Sequence, residues 1–253
     1  MSENPYANLE QAADAVDYVT RRRFPFFALF LVIGAFMLIV FLMLPMARRA
    51  PEAASRTRCK NNLKQIGVAL HNYTELYGSL PPAFTVDVNG RPLHSWRTLI
   101  LPFIEQKPLY DAIDLSQPWN HPANAKAYNT ELNAFRCPSA ELPPGFTIYL
   151  AVSADGGCFE AGASREFTDV ADGTSNTLMV VEVPNNHSVH WMAPVDAGEQ
   201  LILNISQDSE LSHLGGSQLL FMDGSVRFVS ANLSEEQRRA LISISGNDDA
   251  GEF

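Results

Sequence analysis

Histidine paired with a carboxylate is a common acid–base combination, and two stretches of this sequence invite that reading. His213 lies ten positions before Asp223, across Leu214-Gly215-Gly216 and an apolar run. An extended strand at about 3.3 Å per residue would hold the two side chains well over ~20 Å apart, so only a fold-back at Gly-Gly could join them. Asp223 next to Gly224 is explained by a turn, and His213 reads as a loop residue. The second stretch is His187, His190 and Trp191, followed by Asp196 and Glu199. H-x-x-H lacks the i, i+4 spacing and central Glu of the helical zinc-protease motif, so it is a weak metal candidate. Asp172, Thr174 and Asn176 offer oxygen ligands of the kind calcium takes, but no Glu closes the loop as in an EF-hand. A turn is the simpler reading.

Cys59, Cys137 and Cys158 show no C-x-x-C spacing. Without histidines at ligand spacing they do not read as a structural zinc module. A free buried thiol is the simplest reading of Cys59, and an oxidising compartment would allow Cys137 to pair with it. The sequence has no G-x-S-x-G, no G-x-x-x-x-G-K and no dinucleotide fingerprint. These residues predict no catalytic group and no resident cofactor, with calcium the one cation that an acidic domain would suit.

The elements that must position these side chains begin with an apolar one. The chain has 253 residues, 46% hydrophobic and 18% charged, with a formal charge of −10. That composition excludes a disordered chain, and the charge argues against nucleic acid as a partner. From Phe24 to Leu44 no charged or strongly polar side chain occurs. Twenty-one residues at about 1.5 Å each reach roughly 30 Å, the thickness of a bilayer's hydrocarbon core, so a single transmembrane helix is expected. The run is longer than the apolar part of a secretory signal, which favours an uncleaved anchor in the lipid bilayer. Nine of the eighteen basic residues fall between Arg21 and Lys64. Arg21, Arg22 and Arg23 favour a cytoplasmic N-terminus, while Arg48, Arg49, Arg56, Arg58, Lys60 and Lys64 outnumber them on the other side. Residues 65–253 hold nine basic against twenty-three acidic residues, an acidic domain above a basic collar.

Past the collar, Cys59, Leu63, Ile66, Leu70, Tyr73 and Tyr77 recur at helical spacing on one face. Gly78 and Pro81-Pro82 supply the stop, and Pro51 is placed to kink or interrupt the junction with the apolar run. Phe146–Ser153 and Thr177–Val183 have strand composition, Trp96–Ile104 fits either helix or strand, and Ser234 opens a short capped helix to Ile244. Asp223-Gly224 predicts a two-residue hairpin turn, pairing Phe221 with Val226 and Leu219 with Phe228. The expected division is a tail over 1–23, the membrane helix over 24–44, collar and amphipathic helix over 45–79, a soluble domain over 80–245 and a flexible tail over 246–253.

Several blocks occur in order: SRTRCKNNLKQIGVALHNYTELYGSLPP at 55–82, HSWRTLILPFIEQKPLYD, FRCPS at 135–139, DGTSNTLMVVEV at 172–183, and His213 through Asp223-Gly224. Together they resemble a large bacterial family of unknown function, related to type II secretion pseudopilins and described by a prepilin-type N-terminus and an H-x9-D-G C-terminal motif. The resemblance covers residues 47–245. It implies a pilin-like α+β fold, with a long N-terminal helix packed on an antiparallel sheet. It also implies an extracytoplasmic soluble domain on the inner membrane, against the plain charge count, and pseudopilin-like or secretion-system partners. Prepilins carry Gly before Phe-Thr-Leu-x-Glu, where this chain has Arg23-Phe24-Pro25-Phe26-Phe27. Cleavage, N-methylation and filament entry therefore do not carry over. The leading expectation is a non-enzymatic, membrane-anchored envelope protein with a structural or assembly role, and Cys59 bonded to Cys137. Two rivals are a tethered metal-dependent hydrolase using His187, His190 and His213, and a binding module with a groove lined by Trp96, Trp119 or Trp191.

Overall fold

The computed structural model describes the backbone of residues 7–246 and 251, and the side chains of 28–39, 52–246 and 251. Two compact units divide the chain, Met1–Pro51 and Glu52–Phe253. One helix, α1, runs from Ala7 to Tyr77. It starts upstream of Phe24 and is not interrupted at Pro51, where a break was open to the sequence reading. Alanines and arginines flank Pro51 on both sides, and their helix propensity favours continuation despite one lost hydrogen bond.

In the first unit the described side chains are those of 28–39. Leu29, Phe30, Leu31, Val32 and Ile33 are consecutive, so they point around the full circumference of the helix, and each is 48–72% exposed. The rest of the expected span Phe24–Leu44 lies outside the residues whose side chains are described. Among the described residues no helix is long and apolar enough to cross a membrane. Most of the expected tail, 246–253, also lies outside the described residues.

In the second unit α1 becomes one-sided. Cys59, Leu63, Ile66 and Leu70 are fully buried, while Tyr77, at the end of the same stripe, is exposed. The helix stops at Gly78, whose φ of +84° only glycine adopts readily and whose N–H donates to the Thr74 carbonyl. The strands are β1 (Phe84–Val86), β2 (Pro92–Ser95), β3 (Phe146–Thr147), β4 (Tyr149–Ala151), β5 (Leu178–Glu182), β6 (Val189–His190), β7 (Gly216–Phe221) and β8 (Val226–Ser230). β1 pairs with β2, β3 with β6, and β4-β5-β7-β8 form a four-stranded antiparallel sheet. Short helices fill the loops: α2 (Trp96–Leu99), α3 (Lys107–Tyr110), α4 (Ala125–Tyr128), α5 (Glu199–Leu203) and α6 (Glu235–Ile242). Trp96–Ile104 is therefore helical, with Ser95 capping α2 through the Arg97 N–H. The capping box of α6 is made by Ser234 and Gln237.

Alternation along the strands gives the sheet two buried faces. Leu220 meets α1, because a Cβ placed on Gly67 would lie 2.9 Å from its Cδ1, and Arg56 of α1 stacks 4.1 Å over Phe228. Val180, Glu182 and Gln218 share that face by register. On the other face Leu219, Val181 and Val229 meet Ile202 of α5 and Leu241 of α6. The fold is α+β, with the long helix packed on an antiparallel sheet.

The β7–β8 hairpin differs from the expected register by one residue. Leu220 pairs with Val226, Leu219 with Arg227 and Gln218 with Phe228. The Phe221 N–H donates to the Ser225 carbonyl, the Gly224 N–H to the Phe221 carbonyl, and only Gly224 of the loop has positive φ. This is the three-residue loop with a left-handed glycine in its last place, not the two-residue turn that needs two positive φ values. Leu220 and Phe228 thus share the face that meets α1, and Phe221 lies on the opposite one under Arg227.

Candidate functional site

Four segments far apart in sequence converge under α1. Cys59 points inward from the helix. Cys137 follows the 3-10 turn Asn133–Phe135, and its loop is held by Asn62 of α1, whose amide donates to the carbonyls of Asn133 (3.0 Å) and Arg136 (2.8 Å). The two cysteines form a disulfide with Cα atoms 5.2 Å apart across a sequence separation of 78. Both are fully buried. Glu182 ends β5 on the helix-facing side and is 1% exposed. Its Oε2 accepts the Gln218 N–H at 3.0 Å, and its Oε1 has no hydrogen-bond partner.

His213 arrives by the fold-back that the sequence reading required. Gly215 adopts φ of +80°, and His213 bridges to Gly216 at the start of β7. The ring is buried, with Nε2 3.5 Å from Glu182 Oε1 and 3.7 Å from Cys137 Sγ. On its other side Nδ1 lies 3.1 Å from Oε1 of Glu52, a half-exposed residue of α1. Burial pulls the imidazole toward the neutral form, but hydrogen bonding and charge from Glu182 and then Glu52 outweigh it and raise the pKa above the usual histidine value. The ligand atoms of Cys59, Cys137, Glu182 and His213 all lie within 4.8 Å of one another. Among the described residues, this is the one group of three or more such side chains so placed.

The other candidates go elsewhere. His187 ends a 3-10 turn on the surface, its N–H donating to the Pro184 carbonyl. His190 has both ring nitrogens occupied: Nε2 faces the Tyr128 carbonyl at 3.0 Å and Nδ1 accepts the Met192 N–H at 3.2 Å. Its ring stacks on Tyr128 at 4.2 Å, and burial lowers its pKa below the usual histidine value. Neither belongs to the group around His213. The Asp172–Asn176 loop holds neighbouring chain segments together. The N–H groups of Ala171 and Asp172 donate to the Ile244 carbonyl, Asp172 Oδ2 accepts the Gly246 N–H, and the Thr174 carbonyl accepts the Asp223 N–H. Asp223 closes its own turn, Oδ1 accepting the Ser225 N–H at 2.8 Å. Cys158 is buried beside Met222, and burial pushes its thiol pKa up to about 12, which keeps it unreactive.

Trp96 and Trp191 are buried and hydrogen-bonded, to Asp196 Oδ1 and the Thr130 carbonyl. Between them sits a polar knot that the sequence did not suggest. Arg97, fully buried, gives five hydrogen bonds, to Asp196 (2.7 Å) and to the carbonyls of Trp191, Tyr149, Ala193 and Val195. Desolvation raises the Asp196 pKa despite the guanidinium beside it. With every donor of Arg97 matched, this knot fixes α2, β4 and the 191–196 loop against one another, a structural role.

Glu52 and Glu182 were not picked out from sequence. Glu182 left a signal, as the one acid inside TLMVVEV, where a strand buried on both faces has no reason to carry a carboxyl unless something meets it. Residues 48–147 match a family model described as a protein of unknown function (DUF1559). Over that segment, less than half of the chain, the sequence is similar to that family. The match includes Glu52, Cys59 and Cys137 and ends before Glu182 and His213. No curated protein and no solved structure matches the chain.

Proposed function

We propose that this chain is a membrane-anchored envelope protein with a structural or assembly role, its α+β unit on the extracytoplasmic side. The observation that carries the reading is the stretch 29–39, where large apolar side chains are exposed around the whole helix. A helix apolar on every side belongs in a protein core or in lipid, and these residues have no protein core around them. The buried disulfide supports the compartment, since such bonds persist where the surroundings are oxidising. Partners follow as other envelope proteins with the same layout, met through the helix or the acidic domain.

Two rival readings have less behind them. The hydrolase needs three imidazoles on one ion, and His190 is committed to Tyr128 and Met192 instead. The aromatic groove loses Trp96 and Trp191, which are core residues, and keeps only Trp119, half-buried beside Tyr128 and His190. The test is a pair of fusions after residue 250, one reporter active only outside the cytoplasm and one active only within it. Activity of the external reporter, with the protein resisting alkaline extraction from membranes, is the expected result. Activity of the internal reporter alone would reverse the topology, and release by alkali would remove the anchor.

A further inference from the structure

We propose that the buried quartet Cys59, Cys137, Glu182 and His213 is a closed four-ligand site for a zinc-class divalent cation, open to the metal when the two cysteines are thiols. This goes beyond the anchoring role and does not rest on it. Glu182 Oε1 is the observation that calls for an explanation: a carboxyl oxygen in a residue 1% exposed, aimed at the cluster, with no closer partner than His213 Nε2 at 3.5 Å. A buried carboxyl oxygen held only by one long ion pair is poorly satisfied, and a cation would satisfy it.

The two imidazole edges of the quartet fit a tetrahedral ion. At metal–ligand lengths of about 2.0–2.3 Å, neighbouring corners of a tetrahedron stand roughly 3.4–3.8 Å apart. The two corners that involve the imidazole measure 3.5 Å to Glu182 and 3.7 Å to Cys137. Glu52, at 3.1 Å from Nδ1, stands where a metal-bound histidine ordinarily donates its second N–H to a carboxylate. Two thiolates and an imidazole select zinc-class ions over calcium or magnesium. Four protein ligands leave no open position for water, so the site is structural and not hydrolytic.

In the disulfide the sulfurs are bonded to each other, so metal and cross-link exclude one another. A phosphine opens the bond: it takes up oxygen from water to become the phosphine oxide, and the two protons of that water leave Cys59 and Cys137 as thiols. Binding then displaces those protons. The full-length chain in detergent, reduced with a phosphine under argon, is titrated with Co2+ as a spectroscopic probe. The expected result is one equivalent taken up with a thiolate-to-cobalt charge-transfer band and tetrahedral ligand-field bands, abolished by Zn2+, and no such spectrum from the oxidised chain. His213→Ala and Glu182→Gln should each weaken binding at least about tenfold, and Glu52→Gln by a factor of about ten with the spectrum retained. A reduced wild-type chain that takes up no Co2+ overturns the proposal, as does affinity unchanged by both His213→Ala and Glu52→Gln. Should His213→Ala fail to fold, Glu52→Gln, at a half-exposed position, and the wild-type spectrum still decide.

Discussion

His190 shows how one side chain can carry a pH dependence. With Nε2 on the Tyr128 carbonyl and Nδ1 accepting the Met192 N–H, the folded protein holds the neutral ring, and a second proton would meet an N–H already pointing at Nδ1. Burial is the larger cause of its lowered pKa, with the nearby Arg97 adding to it. The unfolded ring takes a proton near pH ~6.5 and the folded ring does so only below that. Its contribution is therefore fully present above about pH 6.5 and is lost as pH falls through the folded value. His190→Phe keeps the stack on Tyr128 but leaves two buried groups unpaired, at a cost of about 1–3 kcal/mol at neutral pH. Urea midpoints at pH 7.5 and 5.5 should fall further for the wild-type chain than for the variant. His94, whose pKa burial also lowers, adds the same slope to both and cancels in the comparison. Equal slopes in the two chains would remove His190 from the account.

Among the elements, the hairpin was legible in kind and misread in register. The apolar runs around Asp223-Gly224 mark it plainly, but two-residue and three-residue loops use the same pair of residues, and only the φ of the aspartate separates them. The amphipathic stripe of α1, the Ser234 cap and the strand at Leu178–Glu182 were readable because each rests on local spacing. The convergence of Cys59, Cys137, Glu182 and His213 was not, since its members come from a helix, a loop, a strand end and a fold-back. The spacing test that set zinc aside looked for ligands near each other along the chain, and these are gathered only by the sheet. Two glycines give a test at this scale. A Cβ on Gly216 would overlap the Val229 carbonyl oxygen of β8, whereas one on Gly67 meets the flexible end of Leu220. Gly216→Ala should therefore cost about 1–3 kcal/mol or more by overpacking against backbone, and Gly67→Ala clearly less. Chemical denaturation of both variants checks the order, and a larger loss at Gly67 would contradict the packing of α1 on β7.

For the molecule as a whole, the bond between Cys59 and Cys137 closes a covalent ring over the intervening residues. Most of the short helices and the β1–β2 pair lie inside that ring, as does the exposed Glu105 just before α3. A glutamate-specific protease that cuts after Glu105 severs the peptide chain without parting the halves. The severed protein should migrate as one species on a non-reducing gel and as two after a thiol is added. Two fragments without reductant would show the cysteines unlinked in the native material. Were the chain anchored as proposed, a nicked copy would thus keep both pieces tethered, and parting them would take electrons donated to a bond sealed beneath Cys59.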